Sequence, residues 1–367
     1  METTQNSRHP AQWAESASLL PQAARDLPAG RHEFHKRRLM AHIQQDIQLG
    51  GSAMTATAAR PKTRRLRLPR PVVVLPVMAL AAVGALVAGV ALDGGGARSG
   101  GVATGPALTT PVGVTTTKGL PQLLEQVSAA AGKETHSPVK PGQYVYIESE
   151  AANTFVKTVG KKSSLASFVL HRRQTWLSPD GTKGWLIDPT VNKNSEGETL
   201  SLPDEEGNTP KAGVGHPSYE FLAQLTTDPD ELLELIYKET KGQGNTPDQQ
   251  AFDTIGALLT ESYPPAELYS ALFKAAAKIP GVVMVNDAQD AIGRRGVAVA
   301  RLDETSGARQ EWIFDKKTHV FLGERTVQVR TVFEYGVAVK PGTVRYTSAI
   351  TKRSIVDGMR QPPARNS

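Results

Sequence analysis

The segment Pro71–Leu92, PVVVLPVMALAAVGALVAGVAL, decides how the rest of the chain is read. It is twenty-two residues long and carries no charge. At about 1.5 Å per residue, a helix of this length reaches ~33 Å, enough to cross the hydrocarbon core of a bilayer. Apolar residues occupy its whole circumference, which suits lipid better than one face of a globular core. Pro76 is tolerated in such a helix. Seventy residues precede the segment, too many for the n-region of a cleaved signal peptide, and the chain has no cysteine to carry a lipid anchor. The sequence predicts a single transmembrane helix over 71–92, with the two flanking parts in different solvents.

The flanks set the orientation. Arg60, Lys62, Arg64, Arg65, Arg67 and Arg70 are six basic residues in eleven, with no acid among them. Asp93, three glycines and Arg98 follow the segment. Lysine and arginine stay on the cytoplasmic side, so the N-terminus is expected inside and the long C-terminal part outside a plasma membrane. The basic run also suits anionic headgroups. Residues 1–70 hold 12 Lys/Arg against 5 Asp/Glu, whereas residues 71–367 hold 30 against 31. The basic character belongs to the inner arm, and the near-neutral outer part argues against a nucleic-acid partner. Without cysteine, the outer part must be held by a packed core.

Working outward, residues 1–70 form a cytoplasmic arm with one amphipathic helix over about 26–49. Asp26 is placed to cap it, Pro28 lies just inside, and Leu39, Met40, Ile43 and Ile47 line one side. Residues 93–118, rich in Gly, Thr, Pro and Ala, read as a flexible tether. Residues 119–357 read as the outer domain, and 358–367 as a disordered tail.

Within the outer domain a short helix is expected over Pro121–Ala131. Strands follow over Gln143–Glu150, Thr154–Val159, Leu165–Leu177 and Gly184–Asp188, with turn signatures at Gly160 and at Ser178-Pro-Asp-Gly181. Residues 189–217 read as an excursion loop. A helical block runs from about Ser218 to Ala277, with starts at Asp228-Pro229, Pro247-Asp248 and Pro264-Pro265. Strands return over Val282–Asp287, Gly296–Asp303, Gln310–Asp315, His319–Val329 and Thr343–Ile350. The order of helix, strands, helices, strands predicts an α+β fold in which a curved antiparallel sheet packs on a helical block.

Chemistry is sparse. His32, His35 and His42 share one side of the arm helix, but a metal there would need a further ligand and would face Arg31, Lys36, Arg37 and Arg38. A solvated polar face is the stronger reading. Tyr144 and Tyr146 share a strand face and read as sheet packing rather than a pocket wall. Trp176 and Trp185 flank a turn and are expected to face each other, as core or as a cavity wall. Of the acids, Asp204-Glu205-Glu206 read as solvated, Asp228, Asp230 and Glu231 as helix-capping, and Asp287 with Asp290 as a conceivable carboxylate pair. Ser137-Pro-Val-Lys140 matches Ser-x-x-Lys only in form, because Pro138 breaks the helix that chemistry needs. No catalytic, metal or cofactor set emerges, so no enzyme, metal or cofactor is expected, and the ligand-binding residues stay unassigned.

Three stretches carry a resemblance. They are Leu27-Pro28-Ala29-Gly30-Arg31-His32 leading into Lys36-Arg37-Arg38-Leu39-Met40; the single span; and Pro264-Pro265-Ala266-Glu267-Leu268-Tyr269 through Asp290-Ala291-Ile292-Gly293-Arg294-Arg295 to Glu311-Trp312-Ile313-Phe314-Asp315 and Leu322-Gly323-Glu324. The chain resembles a family of uncharacterised actinobacterial single-pass membrane proteins. The layout is similar to that of transmembrane anti-sigma factors, but without the cysteines of the zinc-binding type. In element order the outer domain resembles the LolA and RseB lipoprotein-carrier fold, in which a curved sheet wraps over helices around an apolar cleft. The resemblance implies a membrane-tethered, non-catalytic binding or sensing protein. Its inner helix, 26–49, would meet a cytoplasmic partner such as a sigma factor, and its outer domain a hydrophobic ligand or an envelope protein. The alternative is an envelope lipid carrier or scaffold, and an exported enzyme ranks last.

Overall fold

A computed structural model describes residues 103–363, apart from 135, 193, 204–206 and 208. The segment 71–92, the arm helix 26–49, the three arm histidines and Asp204-Glu205-Glu206 lie outside the described residues. Among the described residues, no helix is long and apolar enough to cross a membrane.

The fold is α+β, built on one large, curved antiparallel sheet, as the element order predicts. Its strands are β1 (Thr104–Pro106), β2 (Thr115–Thr116), β3 (Tyr144–Val159), β4 (Lys162–Phe168), β5 (His171–Leu177), β6 (Gly184–Ile187), β7 (Glu198–Thr199), β8 (Val282–Gln289), β9 (Arg295–Asp303), β10 (Ala308–Asp315), β11 (Phe321–Gln328) and β14 (Val344–Val356). β12 (Val332–Glu334) and β13 (Val337–Val339) form a separate small hairpin. The main order is β2-β8-β9-β10-β11-β14-β3-β5-β6-β7, with β4 on β3 and β1 on β4. The helices are α1 (Leu120–Ala131), α2 (Tyr219–Leu222), α3 (Pro229–Glu239), α4 (Pro247–Glu261) and α5 (Ala266–Ala276).

Local chemistry explains these boundaries. The Asp228 carboxylate accepts from the backbone N–H groups of Asp230 and Glu231 at the start of α3, with Pro229 in the first helical position. Thr246 caps α4 by accepting from Gln249 N. The β10–β11 turn is tied by Asp315, which accepts from Lys317 N and Thr318 N at 2.8 Å each.

Helices α3, α4 and α5 lie on one sheet face and fill it. Leu232, Ile236, Phe252, Ile255, Leu258, Leu259 and Leu272 are fully buried there, together with Val299, Trp312 and Phe314 from the strands. The other face carries Val285, Ala288, Ala298, Ala300, Ile313 and Leu322.

Several expectations are corrected. Residues 103–118, expected as part of a flexible tether, are laid across the sheet as an extended strap. β1 pairs with β4 near one edge, Thr109 bridges Thr343, and β2 pairs with β8 at the opposite edge. The folded domain therefore begins by Thr104, not at 119. The expected strands 143–150 and 154–159 are one strand, β3, that changes partner from β5 to β4 near Ala152-Asn153. The expected strand 165–177 is two, interrupted at Val169-Leu170. The loop 189–217 contains β7 and buries Val214, whose backbone N–H donates to Glu239 Oε2 at 3.1 Å. The expected disordered tail is fixed at least as far as Gln361, whose carbonyl accepts from Trp176 Nε1 at 2.8 Å.

Candidate functional site

Antiparallel register puts Trp312 of β10 opposite Glu324 of β11, and Glu324 opposite Ser348 of β14. Gln310 and Tyr346 lie two residues along on the same face, since side chains alternate with period two. A polar row thus crosses three strands in the middle of the helix-covered face. Helix α4 closes over it. Phe252 stacks on Trp312, and Gly256 lies so close that a Cβ there would stand 2.6 Å from Trp312 Nε1 and 3.0 Å from Gln310 Nε2.

Glu324 is the centre of the row, at 1% exposure. Its Oε2 accepts from Gln310 Nε2 at 3.1 Å. Burial drives its carboxyl up to about 8; the Gln310 hydrogen bond opposes this, while the charges of Glu261 and Asp253 on α4 add to it. Asp253, which accepts from Gln249 Nε2 at 2.7 Å, is pushed up to about 7 by burial, with Arg301 opposing. Glu261 and Tyr346 are likewise raised by burial, with Arg173 of β5 opposing in both cases. Gln310 Oε1, Trp312 Nε1 and Glu324 Oε1 have no hydrogen-bond partner among the described residues. Such groups cost about 1–3 kcal/mol each when left unmatched. The row can therefore hold protons at neutral pH and offers unmatched donors and acceptors.

At the row's β5 side lies a second polar group. Asp188 sits 3.6 Å from His171 Nε2 and 3.5 Å from Arg173 Nε. It also accepts from Thr190 N and Oγ1 at 2.9 and 2.6 Å.

On the opposite face a buried ionic triad meets the strap. Glu311, fully buried, accepts from Arg309 Nε and Arg325 Nε at 2.8 Å each. Arg309 Nη1 donates onward to Gly113 O at 3.1 Å, and Arg325 Nη1 to Thr110 Oγ1 at 3.3 Å. The strap thus accepts one hydrogen bond from each of two buried guanidinium groups.

The residues singled out from sequence fall elsewhere. Trp176 and Trp185 are direct cross-strand partners, as expected, with Trp176 in a small core beside Tyr146. Tyr146 donates to Glu148 Oε2 at 2.7 Å and accepts from Gln174, which makes it sheet packing. Asp287 and Asp290 do not form a pair. Asp290 is buried on Arg294 at 2.6 Å, and exposed Asp287 faces Lys316 and Arg295. Among the described residues, no three His, Asp or Glu side chains gather as a metal site. Two open depressions of about 470 and 360 Å³ lie between α1 and the β10–β11 turn, sharing Gln126 and His319, away from the polar row. Compared with known protein families and with curated proteins, the chain matches none.

Proposed function

We propose that this chain is a single-pass plasma-membrane protein whose outer domain is a non-catalytic binding or sensing module. The inner arm, with its helix over 26–49, would hold a cytoplasmic regulator such as a sigma factor. One observation carries the reading: residues 103–118, only ten residues beyond the apolar segment 71–92, are built into the outer sheet and hydrogen-bonded to the buried Arg309–Glu311–Arg325 triad. The chain leaving the bilayer is then continuous with the domain's own core. A change in how the sheet is held can reach the membrane-proximal chain through that strap. The filled helix-covered face favours a surface partner over an acyl chain taken into a deep cleft, and so favours sensing over lipid carriage.

The test is topological and biochemical. The chain has no native cysteine, so Met54→Cys and Lys317→Cys can be probed separately with a membrane-impermeant maleimide on intact cells. Labelling at 317 and not at 54 is expected. Labelling at 54 overturns the orientation. Recovery of a cytoplasmic protein on the full chain, lost when residues 26–49 are deleted, is the expected sign of a regulator. Equal recovery without those residues overturns that role.

A further inference from the structure

Two hairpins stand side by side at one end of the sheet. β3 and β4 meet at Gly160, and their tip carries Val159, 67% exposed, beside exposed Lys161 and Lys162. β13 lies against β4, and its partner strand holds Phe333, 74% exposed. Tyr335, at the turn with φ 49°, is also exposed. Three large apolar side chains thus project from one end of the molecule. Leaving such area in water is unfavourable by about 25 cal/mol per Å².

The β3–β4 tip is basic, while exposed Glu304 lies beside Arg330. Lys157, Lys161 and Lys162 fall within six residues that contain no acid. Arg330 and Lys340, at the base of the small hairpin, are exposed. Glu334, the acid of that hairpin, is matched by Arg345 at 2.6 Å. Aromatic tips ringed by lysine suit the boundary layer of an anionic bilayer, where rings sit at headgroup depth and cations meet phosphate.

The described chain starts at the base of the β3–β4 hairpin, one β4 length from its tip. Ala103 O accepts from Val169 N, β1 lies on β4, and Lys157 Nζ donates to Thr104 Oγ1. Ten residues separate Leu92 from Ala103, at most about 36 Å of extended chain. β4 itself is roughly 23 Å long. With 71–92 in the bilayer, this end of the sheet is within reach of the headgroups.

We propose that the two hairpin tips form a lipid-facing surface. Phe333, Tyr335 and Val159 enter the headgroup layer, and Lys157, Lys161 and Lys162 are held against anionic phosphates. This rests on the reading that 71–92 spans the membrane.

The full chain, reconstituted in phosphatidylcholine vesicles with or without phosphatidylglycerol, tests it. Thr158→Cys carries an environment-sensitive fluorophore at the tip, and Lys317→Cys carries one at the far end. The tip label should shift to the blue and be quenched by nitroxide lipids in anionic vesicles, and the far label should do neither. Combining Lys157→Gln, Lys161→Gln and Lys162→Gln should abolish the shift, since each lysine is worth roughly fivefold in partition to an anionic surface. Phe333→Ser with Tyr335→Ser should abolish the quenching, with thermal melting of each variant confirming the fold. An aqueous tip on a chain that stays with the bilayer in alkaline carbonate overturns the docking and leaves the span standing. Release into carbonate overturns the span, and the docking with it. Tip signals that are equal in both vesicle types, or disulfide-linked dimers through unlabelled Thr158→Cys, overturn anionic lipid as the occupant.

Discussion

Phe252 of α4 and Trp312 of β10 stack face to face, with ring centroids 3.8 Å apart and planes 4° from parallel. Both are fully buried, and the pair fixes how closely the longest helix of the block approaches the middle of the sheet. Trp312→Ala should cost about 3–5 kcal/mol in chemical denaturation, as large buried aromatic truncations do.

Gly256 sits under the same indole. In an exposed helix, Gly→Ala stabilises by about 1 kcal/mol. Here the added methyl would meet Trp312 Nε1 at 2.6 Å and Gln310 Nε2 at 3.0 Å. Overpacking of about 1–3 kcal/mol should win. Gly256→Ala is expected to lower the melting temperature, and a raised one would show that the helix simply lifts.

Glu311 holds two buried cations. Glu311→Leu strands Arg309 and Arg325 and should cost about 3–5 kcal/mol, whereas replacing all three with apolar residues of similar volume should cost far less. Limited proteolysis reads the local effect. Cleavage within 104–113 should accelerate in the single variant, because the guanidinium groups that grip Gly113 and Thr110 lose their fixed position.

The acids of the polar row set a pH dependence. An unfolded glutamate ionises near about 4.3. In the fold, Glu324 is pushed up to about 8 and Asp253 to about 7. Between those limits the folded state keeps protons that the unfolded state releases. Stability from these groups is therefore full below about pH 4 and is lost as pH rises through about 8. The slope approaches about 1.4 kcal/mol per pH unit for each titrating group. Urea denaturation from pH 5 to 8 should show the decline, and Glu324→Gln should flatten it and stabilise the protein at pH 8.

The C-terminal segment covers a tryptophan. Trp176 Nε1 donates to Gln361 O, and Arg360 lies 4.7 Å over the Trp185 ring. Deleting 358–367 should red-shift tryptophan emission and speed its quenching by iodide. Unchanged emission would mean that this end contributes no cover.

The architecture was legible where backbone punctuation is local. Asp228-Pro229, Pro247 and Pro265 start helices, Asp180-Gly181 and Asp315–Thr318 turn strands, and the Trp176–Trp185 pairing follows from one such turn. The reading failed where the determinant is distant in sequence. Gly, Thr and Pro over 103–118 signal only the lack of a helix or a long strand, while the arginines that hold this stretch lie some two hundred residues later. Likewise, Glu324 between Gly323 and Arg325 looks like a surface acid. It becomes a core group only because Trp312 and Ser348 align beside it, under a helix formed by residues far upstream. His171, Arg173 and Asp188 were missed for the same reason, although the alternation of His171 and Arg173 along β5 was a usable hint.

The strand order carries a consequence for biosynthesis. Among the described residues, β14 lies between β11 and β3 and joins them in the main sheet. It is also the last of the described strands to leave the ribosome. Until residues 344–356 are made, the nascent chain owns two half-sheets with open facing edges, and those edges can pair with strangers. A stop codon shortly before 344 would leave the half-sheets tied by the strap but unpaired along those edges, and such a truncation is a poor choice for expression.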